Sequence, residues 1–483
     1  MTQCIKKIEI RHFKGLYGNY EINLTNNGNN LMLYGENGSG KSSFAKAIKL
    51  FFQSADENIN ISDYENIFIS QAQQNTGYIK LTFGDKGNRR SAQVYDLSNT
   101  NNRQTQNFII KANKIKGFLD YKSLLRTHFL DTTEVNVFDL LVNNLLADFV
   151  ASRSQNSIKE NWDWLARYVQ DKRLTEYKNE LIPQGGKLET FNQDLKEILD
   201  EVEEKANEII EYFNYNLKIN FHFNNIVLGR EKGFATPKVL LKVDFFDKTN
   251  LQEHHNFLNE ARLTAISIAI YLGAVLTNPD TDYKLLVLDD IFIGLDTSNR
   301  LPFLKVLDEK FSDYQIFMTT YDKSWYELVK SEKQRGWTFA ELYVKEEHQN
   351  GYEIPILRAE TDYIQIAKDY LNNGDLKASA SYIRSEFERI ISKFCDDKGV
   401  AVKFNKKPGK VSSEDFWTAI KTKTYRDNDG QQQRYVSEQL RDDIETQRTL
   451  VMNPFVHYDI EKPEFRAELQ RTINLVEQLK NVL

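Results

Sequence analysis

One segment constrains this chain more than any other. Gly35-Glu36-Asn37-Gly38-Ser39-Gly40-Lys41-Ser42 fits G-x-x-x-x-G-K-[ST] at every position. Its surroundings fit too: Asn30–Tyr34 is a short apolar run that reads as a strand, and Ser42–Phe52 reads as a helix. Glycines at such a turn let successive backbone N–H groups wrap phosphate oxygens. The helix N-terminus adds partial positive charge. Gly35, Gly38 and Gly40 are therefore expected to cradle a nucleotide, with Lys41 reaching the β/γ-phosphates and the Ser42 hydroxyl ligating Mg²⁺. ATP and Mg²⁺ are the expected cofactors.

A partner segment lies far downstream. Leu285–Leu288 is an apolar run ending in Asp289-Asp290. A buried strand of this kind places Asp289 where it can hold Mg²⁺ through water, and Asp290 where it can polarise an attacking water. Gly294-Leu295-Asp296 follows.

These features together resemble the SMC and RecF branch of the ABC ATPases. The shared marks are GENGSGKSS, the N-terminal segment ending in HFKG, the long separation between the two ATP motifs, and the GLD stretch, which is similar to that family's D-loop. The resemblance places Asn37, Ser43 and Asp296 at the nucleotide. It places the ABC signature at Leu258–Arg262, with Asn259 where the family has a serine that meets the γ-phosphate of a second protomer. It also implies departures. Asp290 stands where most of the family has Glu, one methylene longer. Tyr321 stands where the switch His usually stands, and a phenol is not a base near neutral pH. No glutamine occurs in Phe118–Leu125, where the Q-loop belongs. Both substitutions suit a slow nucleotide switch. One P-loop and one signature per chain imply a homodimer closed by ATP and opened by hydrolysis, and the sequence does not fix whether assembly stops at two chains.

The remaining chain sets the domain plan. Its 483 residues allow two or three domains, and a net charge of −6 removes any global basic footprint for nucleic acid. Nucleic acid would need a local patch or a dimer groove. Cys4 and Cys395 are the only cysteines, so no disulfide framework exists. The opening MTQCIKKIEIRHFKG has no apolar signal-like stretch, and the run Leu263–Leu276 reads as too short for a bilayer. A cytoplasmic protein without membrane association is expected.

Strand alternation marks Ile5, Ile8 and Ile10, then Tyr20, Ile22 and Leu24. Asn60–Arg103 reads as strand-like and Asp131–Glu160 as helical. Trp162–Asn216 reads as a short antiparallel helical pair turning at Pro183–Gly186, too short for a long SMC coiled coil. Strands return at Leu217–Phe223, Val239–Phe246, Lys284–Leu288 and Tyr314–Thr319, with a helix at Asn256–Leu276 and a turn at His348–Tyr352. The plan is thus an α/β ABC-type head over 1–350, with a helical insertion at about 155–216 and a linker near Glu353–Thr361. An all-α domain follows over 360–483, with helices at Asp362–Leu371, Leu376–Cys395, Ser413–Lys421, Gln431–Val451 and Pro463–Leu483.

That last domain carries its own pattern. Arg384 and Glu388 lie one turn apart beside an apolar stripe of Ile383, Phe387, Ile390, Ile391 and Phe394. Asn453-Pro454-Phe455-Val456-His457 follows downstream. The set resembles the HEPN class of helical RNases, in particular the PrrC and RloC anticodon nucleases, which also join an ABC ATPase to a C-terminal nuclease. Arg384, Glu388 and His457 match the family's Arg-x-x-x-Glu pair and downstream His. Met452 stands where HEPN proteins usually have Arg, and a polar insert, Lys406–Gln433, lengthens the gap. The resemblance implies metal-independent RNA cleavage, in which His457 would move the 2′-OH proton, Arg384 would hold the phosphorane charge and Glu388 would orient either one. The resemblance implies tRNA or another single-stranded RNA as substrate, and a role in antiviral defence. A second reading stays open. The ATPase would engage DNA, as RecF-like proteins do, and signal to a separate defence subunit, as in Septu-type systems. The C-terminal helices would then be a docking platform.

Overall fold

The structure is a computed structural model that describes residues 3–128, 134–171, 181, 186–229, 233–278, 281–292, 294–295, 297–333, 335–347, 351–359, 363–402, 412–426, 430–453 and 466–483. The chain divides into two compact units, Met1–Ala359 and Glu360–Leu483.

The first unit opens with the alternating segments. β1 (Gln3–Phe13) and β2 (Leu16–Asn23) pair antiparallel, with Ile8 opposite Ile22 and Ile10 opposite Tyr20. Successive side chains point to opposite faces, so these apolar residues fall on one buried face. β3 (Asn30–Gly35) runs into the glycine-rich loop and α1 (Lys41–Gln53) leaves it. The polar stretch Asn60–Arg103 supplies β4 (Tyr78–Asp85) and β5 (Gln93–Ser98), which complete a sheet of order β2-β1-β4-β5. The rest of that stretch is loop and short 3₁₀ turns.

α2 (Asn107–Lys114), β6 (Phe118–Asp120) and α3 (Tyr121–His128) follow. Among the described residues between Asp131 and Glu160, the expected helix is reduced to a turn at Phe138–Leu140 that widens at Leu141–Leu145, before α4 (Ile158–Asp171) begins. α5 (Lys187–Glu211) lies antiparallel to α4: Lys187 sits over the Trp164 ring, and Trp162 stacks on Phe191. The residues between these helices that the sequence reads as a turn, Pro183–Gly185, lie outside the described residues.

α5 is not an appendage. It packs along α6 (Glu260–Thr277) in the main core, and Gly273 makes the approach possible. A Cβ there would lie 3.0 Å from the Ala206 nitrogen and 3.0 Å from the Val202 oxygen. The helical stretch expected at about 155–216 is thus packed into the core of the first unit. α6 also corrects the membrane argument: its 18 residues are long and apolar enough to cross a bilayer, yet 72% of the stretch is buried inside the unit.

β7 (Leu217–Phe223), β8 (Val239–Phe245) and β9 (Lys248–Leu251) form a small antiparallel sheet ahead of α6. β10 (Leu285–Asp289), α7 (Thr297–Lys310), β11 (Gln315–Thr320), α8 (Lys323–Glu332), β12 (Trp337–Glu347) and β13 (Tyr352–Ala359) complete the unit. The central sheet has order β13-β12-β3-β11-β10-β6, parallel throughout except for β13 on β12. Glu353–Ala359, expected as linker, is therefore strand: Ile354 pairs with Lys345 and Leu357 with Leu342. His348–Asn350 lie outside the described residues. The strand order brings the carboxyl ends of β3, β11, β10 and β6 side by side, which is where open parallel sheets bind ligands.

The second unit holds α9 (Tyr363–Asn372), α10 (Leu376–Asp397), α11 (Ser413–Thr422), α12 (Glu438–Gln447) and α13 (Arg466–Val482) around one apolar core. Strands do not stop at Ala359. β14 (Thr424–Arg426) and β15 (Gln432–Arg434) form a two-stranded ribbon, and α12 starts only after Ser437, whose hydroxyl accepts from the Leu440 N–H at 3.3 Å. The single helix expected over Gln431–Val451 is thus a strand, a capped helix and a widened turn at Arg448–Met452.

Glu386 clamps α10 to α13. Its carboxylate is fully buried and meets Arg389 at 2.7 Å and Lys480 at 3.0 Å. Burial alone would raise this carboxyl, but the hydrogen bonds and charges of Arg389 and Lys480 outweigh it and hold the group below the usual carboxylate range. A depressed pKa stabilises the fold above the unfolded value and loses that contribution as pH falls through the folded value. Replacing both cations, Arg389→Met with Lys480→Met, strands the charge and should cost about 3–5 kcal/mol. Chemical denaturation at neutral pH measures it, and the difference from wild type should shrink as the medium is acidified.

Candidate functional site

β3 delivers Gly35 to the edge of the central sheet, and the loop closes on α1 at Gly40. Gly40 has φ +98° and occupies the N-cap position, so a β-carbon there would be strained as well as crowded against Leu16. Asn37 and Gly38 are exposed at the loop's outer bend. Ser39 is fully buried, and its hydroxyl has no hydrogen-bond partner among the described residues. An orphaned hydroxyl inside a loop of backbone N–H groups fits a phosphate oxygen, which is an acceptor.

Lys41 is 5% exposed. Its ammonium donates to the Glu36 carbonyl at 3.1 Å and lies 3.5 Å from the Asp290 carboxylate. Ser42, in the first turn of α1, hydrogen-bonds Asp289. Ser43 accepts the Gly15 N–H at 3.2 Å, which ties the loop after β1 to the helix start. The acidic pair is anchored from β11: the Thr319 hydroxyl donates to Asp289 at 2.6 Å, and the Tyr321 N–H donates to Asp290 at 3.0 Å. Asp290 has φ +53°, a left-handed backbone that favours glycine and turns the residue out of the strand. Burial raises the pKa of both carboxyls. Hydrogen bonds from Thr319 and Ser42 oppose it at Asp289, and the Lys41 charge opposes it at Asp290. Ser42, Asp289 and the water space beside them suit a hard divalent cation, which takes oxygen donors.

The structure thus brings Gly35, Gly38, Gly40, Lys41, Ser42, Ser43, Asp289 and Asp290 to one place. Tyr321 reaches it through its backbone, while its side chain is 40% exposed at the rim. Asn259 does not join them. It caps α6, accepting the Arg262 N–H at 3.1 Å, and is exposed. Among the described residues no hydrogen bond or ion pair links it to the loop. Gly294 sits beside the same helix start, near Glu260 and Thr264. Asp296 lies outside the described residues.

Several residues of the site escaped the sequence reading. A cleft of about 540 Å³ opens beside Ser42 and Asp289, and Lys14, Lys46, Lys49, Asp120 and Lys122 line it. Asp120 ends β6 in register with Asp289 and accepts the Ser123 N–H at 2.7 Å, standing in the stretch where a glutamine was expected. Lys46 and Lys49 follow Ser42 along one face of α1, a spacing visible in the sequence but without meaning until β6 is placed opposite. His254 is buried just before the Asn259 cap, and burial pushes its pKa down to about 4, so it is neutral in use.

In the second unit, Arg384 donates to Glu388 at 3.0 Å and to the Met452 carbonyl at 3.2 Å. The pair is half-buried, and the second contact fixes it beside Asn453, which is exposed after the widened turn. His457 lies outside the described residues.

Comparison with known proteins gives a consistent result. Residues 4–344 match the model of the RecF/RecN/SMC N terminal domain. Among solved structures, an SmcHead bound to the C-winged helix domain of ScpA aligns with TM-score 0.38 and 12% identity, over 75% of this chain and 99% of that one. An Smc head with an extended coiled coil, bound to the C-terminal domain of ScpA from Pyrococcus furiosus, gives 0.37 and 14%, over 76% and 99%. The SMC head from Thermotoga maritima gives 0.35 and 13%, over 73% and 98%. No curated protein matches the chain.

The raised carboxyls carry a test. Since the folded pKa of Asp289 exceeds its unfolded value, ionising it destabilises the empty head, and stability falls as pH rises between the two values. Asp289→Asn should therefore melt higher than wild type at neutral pH without nucleotide. In thermal unfolding the advantage should fade as pH drops into the ordinary carboxylate range.

Proposed function

Since the chain belongs to the RecF/RecN/SMC N terminal domain family, a family of ATP-binding ATPase heads, we propose that its head is a slow ATP switch and that its C-terminal unit is an RNase under that switch. The observation that carries the reading is the buried Lys41 ammonium 3.5 Å from Asp290, with Asp289 alongside on Ser42. A phosphate-binding cation, a metal-binding carboxylate and a water-orienting carboxylate are already assembled.

Ser42 and Asp289 would hold Mg²⁺, which would neutralise part of the charge on the phosphates. The chain's own residues do the rest. The loop N–H groups and the Ser39 hydroxyl bind phosphate oxygens. Lys41 holds the β/γ-phosphates and draws off charge as the bond to the γ-phosphorus breaks. Asp290 orients the attacking water and takes its proton. Its short side chain and its contact with Lys41 keep that step slow. Asn259, exposed on its cap and remote from its own loop, meets the γ-phosphate of a second copy. Two chains then enclose two nucleotides, and hydrolysis releases them. The α4–α5 pair replaces the long coiled coil of SMC proteins.

The effector half rests on the resemblance to HEPN nucleases and on the way Arg384 is held. Its guanidinium touches Glu388 and the Met452 carbonyl, the residue before Asn453. His457 takes the proton of the RNA 2′-OH, whose oxygen attacks the adjacent phosphorus. The 5′-oxygen leaves taking a proton from solvent water, giving a 2′,3′-cyclic phosphate and a 5′-OH. Arg384 stabilises the phosphorane between them. A chain of this kind, located in the cytoplasm, would act in antiviral defence by cutting tRNA or another single-stranded RNA.

Asp290→Asn should keep ATP binding and lower hydrolysis on the order of 10²–10⁴-fold, measured by phosphate release. In cells expressing the chain alone, wild type should degrade RNA and His457→Ala should not, read from RNA integrity and growth. RNA cut equally by both removes His457 from the mechanism. RNA intact in both, with activity only beside a separate subunit, assigns the C-terminal helices to docking.

A further inference from the structure

The cleft beside the nucleotide loop, about 540 Å³, is of ligand size. Ser42, Asp289 and Asp290 line it, so it is continuous with the acidic pair. Lys14, Lys46, Lys49 and Lys122 line it as well. The phosphate loop does not account for these four. Ser42, Ala45, Lys46 and Lys49 share one face of α1, at i, i+3, i+4 and i+7. At about 1.5 Å per residue, Lys46 lies about 6 Å and Lys49 about 10 Å beyond Ser42 along the helix axis. The loop N–H groups and Lys41 grip phosphate at the helix start, which leaves the two later cations for a different anion.

Like charges are gathered in this cleft against their own repulsion. Burial pushes the Lys46 ammonium below its usual range, and the charges of Lys49 and Lys14 push it further. The charges of Asp120 and Glu57 oppose this and are outweighed. The three carboxylates of the cleft already have partners. Asp289 accepts from Thr319 and Ser42, and Asp290 accepts the Tyr321 N–H beside Lys41. Asp120 accepts the N–H and the hydroxyl of Ser123, each at 2.7 Å. Among the described residues none of the four lysines forms an ion pair. With Lys41, five cations face three engaged carboxylates, so the cleft attracts an anion.

ATP hydrolysis produces such an anion at the cleft's own wall. Water adds to the γ-phosphorus, its proton passes to Asp290, and the bond to the bridging oxygen breaks. The products are ADP, held by the loop, and hydrogenphosphate, which the two aspartates repel and the lysines attract. We propose that the cleft is a second phosphate site, in which Lys46 and Lys49 receive the hydrogenphosphate while ADP still fills the loop. The inference rests on the ATPase reading of the head and assigns the path of its product.

The test uses the full chain saturated with ADP and Mg²⁺, so that the loop is occupied. Radiolabelled inorganic phosphate is added at constant ionic strength and its binding is measured by equilibrium dialysis. ADP binding is measured in the same samples and reports that each variant is folded. Wild type should bind phosphate saturably, one per chain. Lys46→Met with Lys49→Met should weaken that binding about 10-fold or more. Lys46→Arg with Lys49→Arg keeps both charges and should retain it. Equal phosphate affinity in the double methionine variant, or no phosphate on ADP-loaded wild type, overturns the proposal and leaves the nucleotide reading standing. Wild-type chain that binds no ADP overturns both. A short DNA duplex that displaces the label at a lower concentration than unlabelled phosphate does would assign the lysines to a nucleic-acid backbone, and the product path would fall.

Discussion

Lys41 reaches Asp290 across about two thirds of the first unit's sequence, and the proposed site depends on that reach. The contact exists because β3, β11 and β10 are neighbours in a parallel sheet, so the loop after β3 and the acidic pair after β10 open at the same edge. It has consequences for the empty protein. Two carboxylates sit where burial disfavours their charge, and Asp290 is held in a left-handed backbone. The nearly buried cation opposes that burial at Asp290, and hydrogen bonds from Thr319 and Ser42 oppose it at Asp289. A triphosphate entering the loop brings charge that competes for the same ammonium, so nucleotide binding and the position of Asp290 are coupled through one side chain.

The sequence made the head legible where chemistry is contiguous. The glycine-rich loop, its entering strand and its leaving helix stand together, and so does the apolar run before Asp289. Asp120 was hidden for the opposite reason. Its strand is three residues long, too short to show a period, and its importance comes from register with Asp289. What residues 187–211 pack against was not legible either, because an amphipathic stretch says that a helix has a buried face without saying against what. Gly273, on a different helix, decides that. In the second unit the break at Ser437 was lost under a continuous polar pattern, whereas the ribbon before it is defined by pairing between Thr424 and Arg434. The contact from Arg384 to the Met452 carbonyl involves a backbone atom, which no residue pattern displays.

The two units differ in what supports them. The first belongs to a family and contains a constructed phosphate site. The second is read through Arg384, Glu388 and His457, with the ribbon as an addition that the nuclease pattern does not explain. On the proposed reading they share a logic, since in each a cation is fixed in advance where negative charge would gather. Lys41 is fixed by burial and Asp290, and Arg384 by Glu388 and a carbonyl oxygen. Preorganised charge of this kind costs no rearrangement when the reaction begins.

The central claim is that each nucleotide is closed by two chains, Lys41 from one and Asn259 from the other. Mixing two disabled variants tests it most directly. Lys41→Ala and Asn259→Arg chains should each hydrolyse no ATP alone, and their mixture should regain activity, because a mixed dimer contains one intact pairing of loop and signature. A mixture as inactive as its components, or an Asn259→Arg chain that hydrolyses ATP at the wild-type rate on its own, would contradict the account.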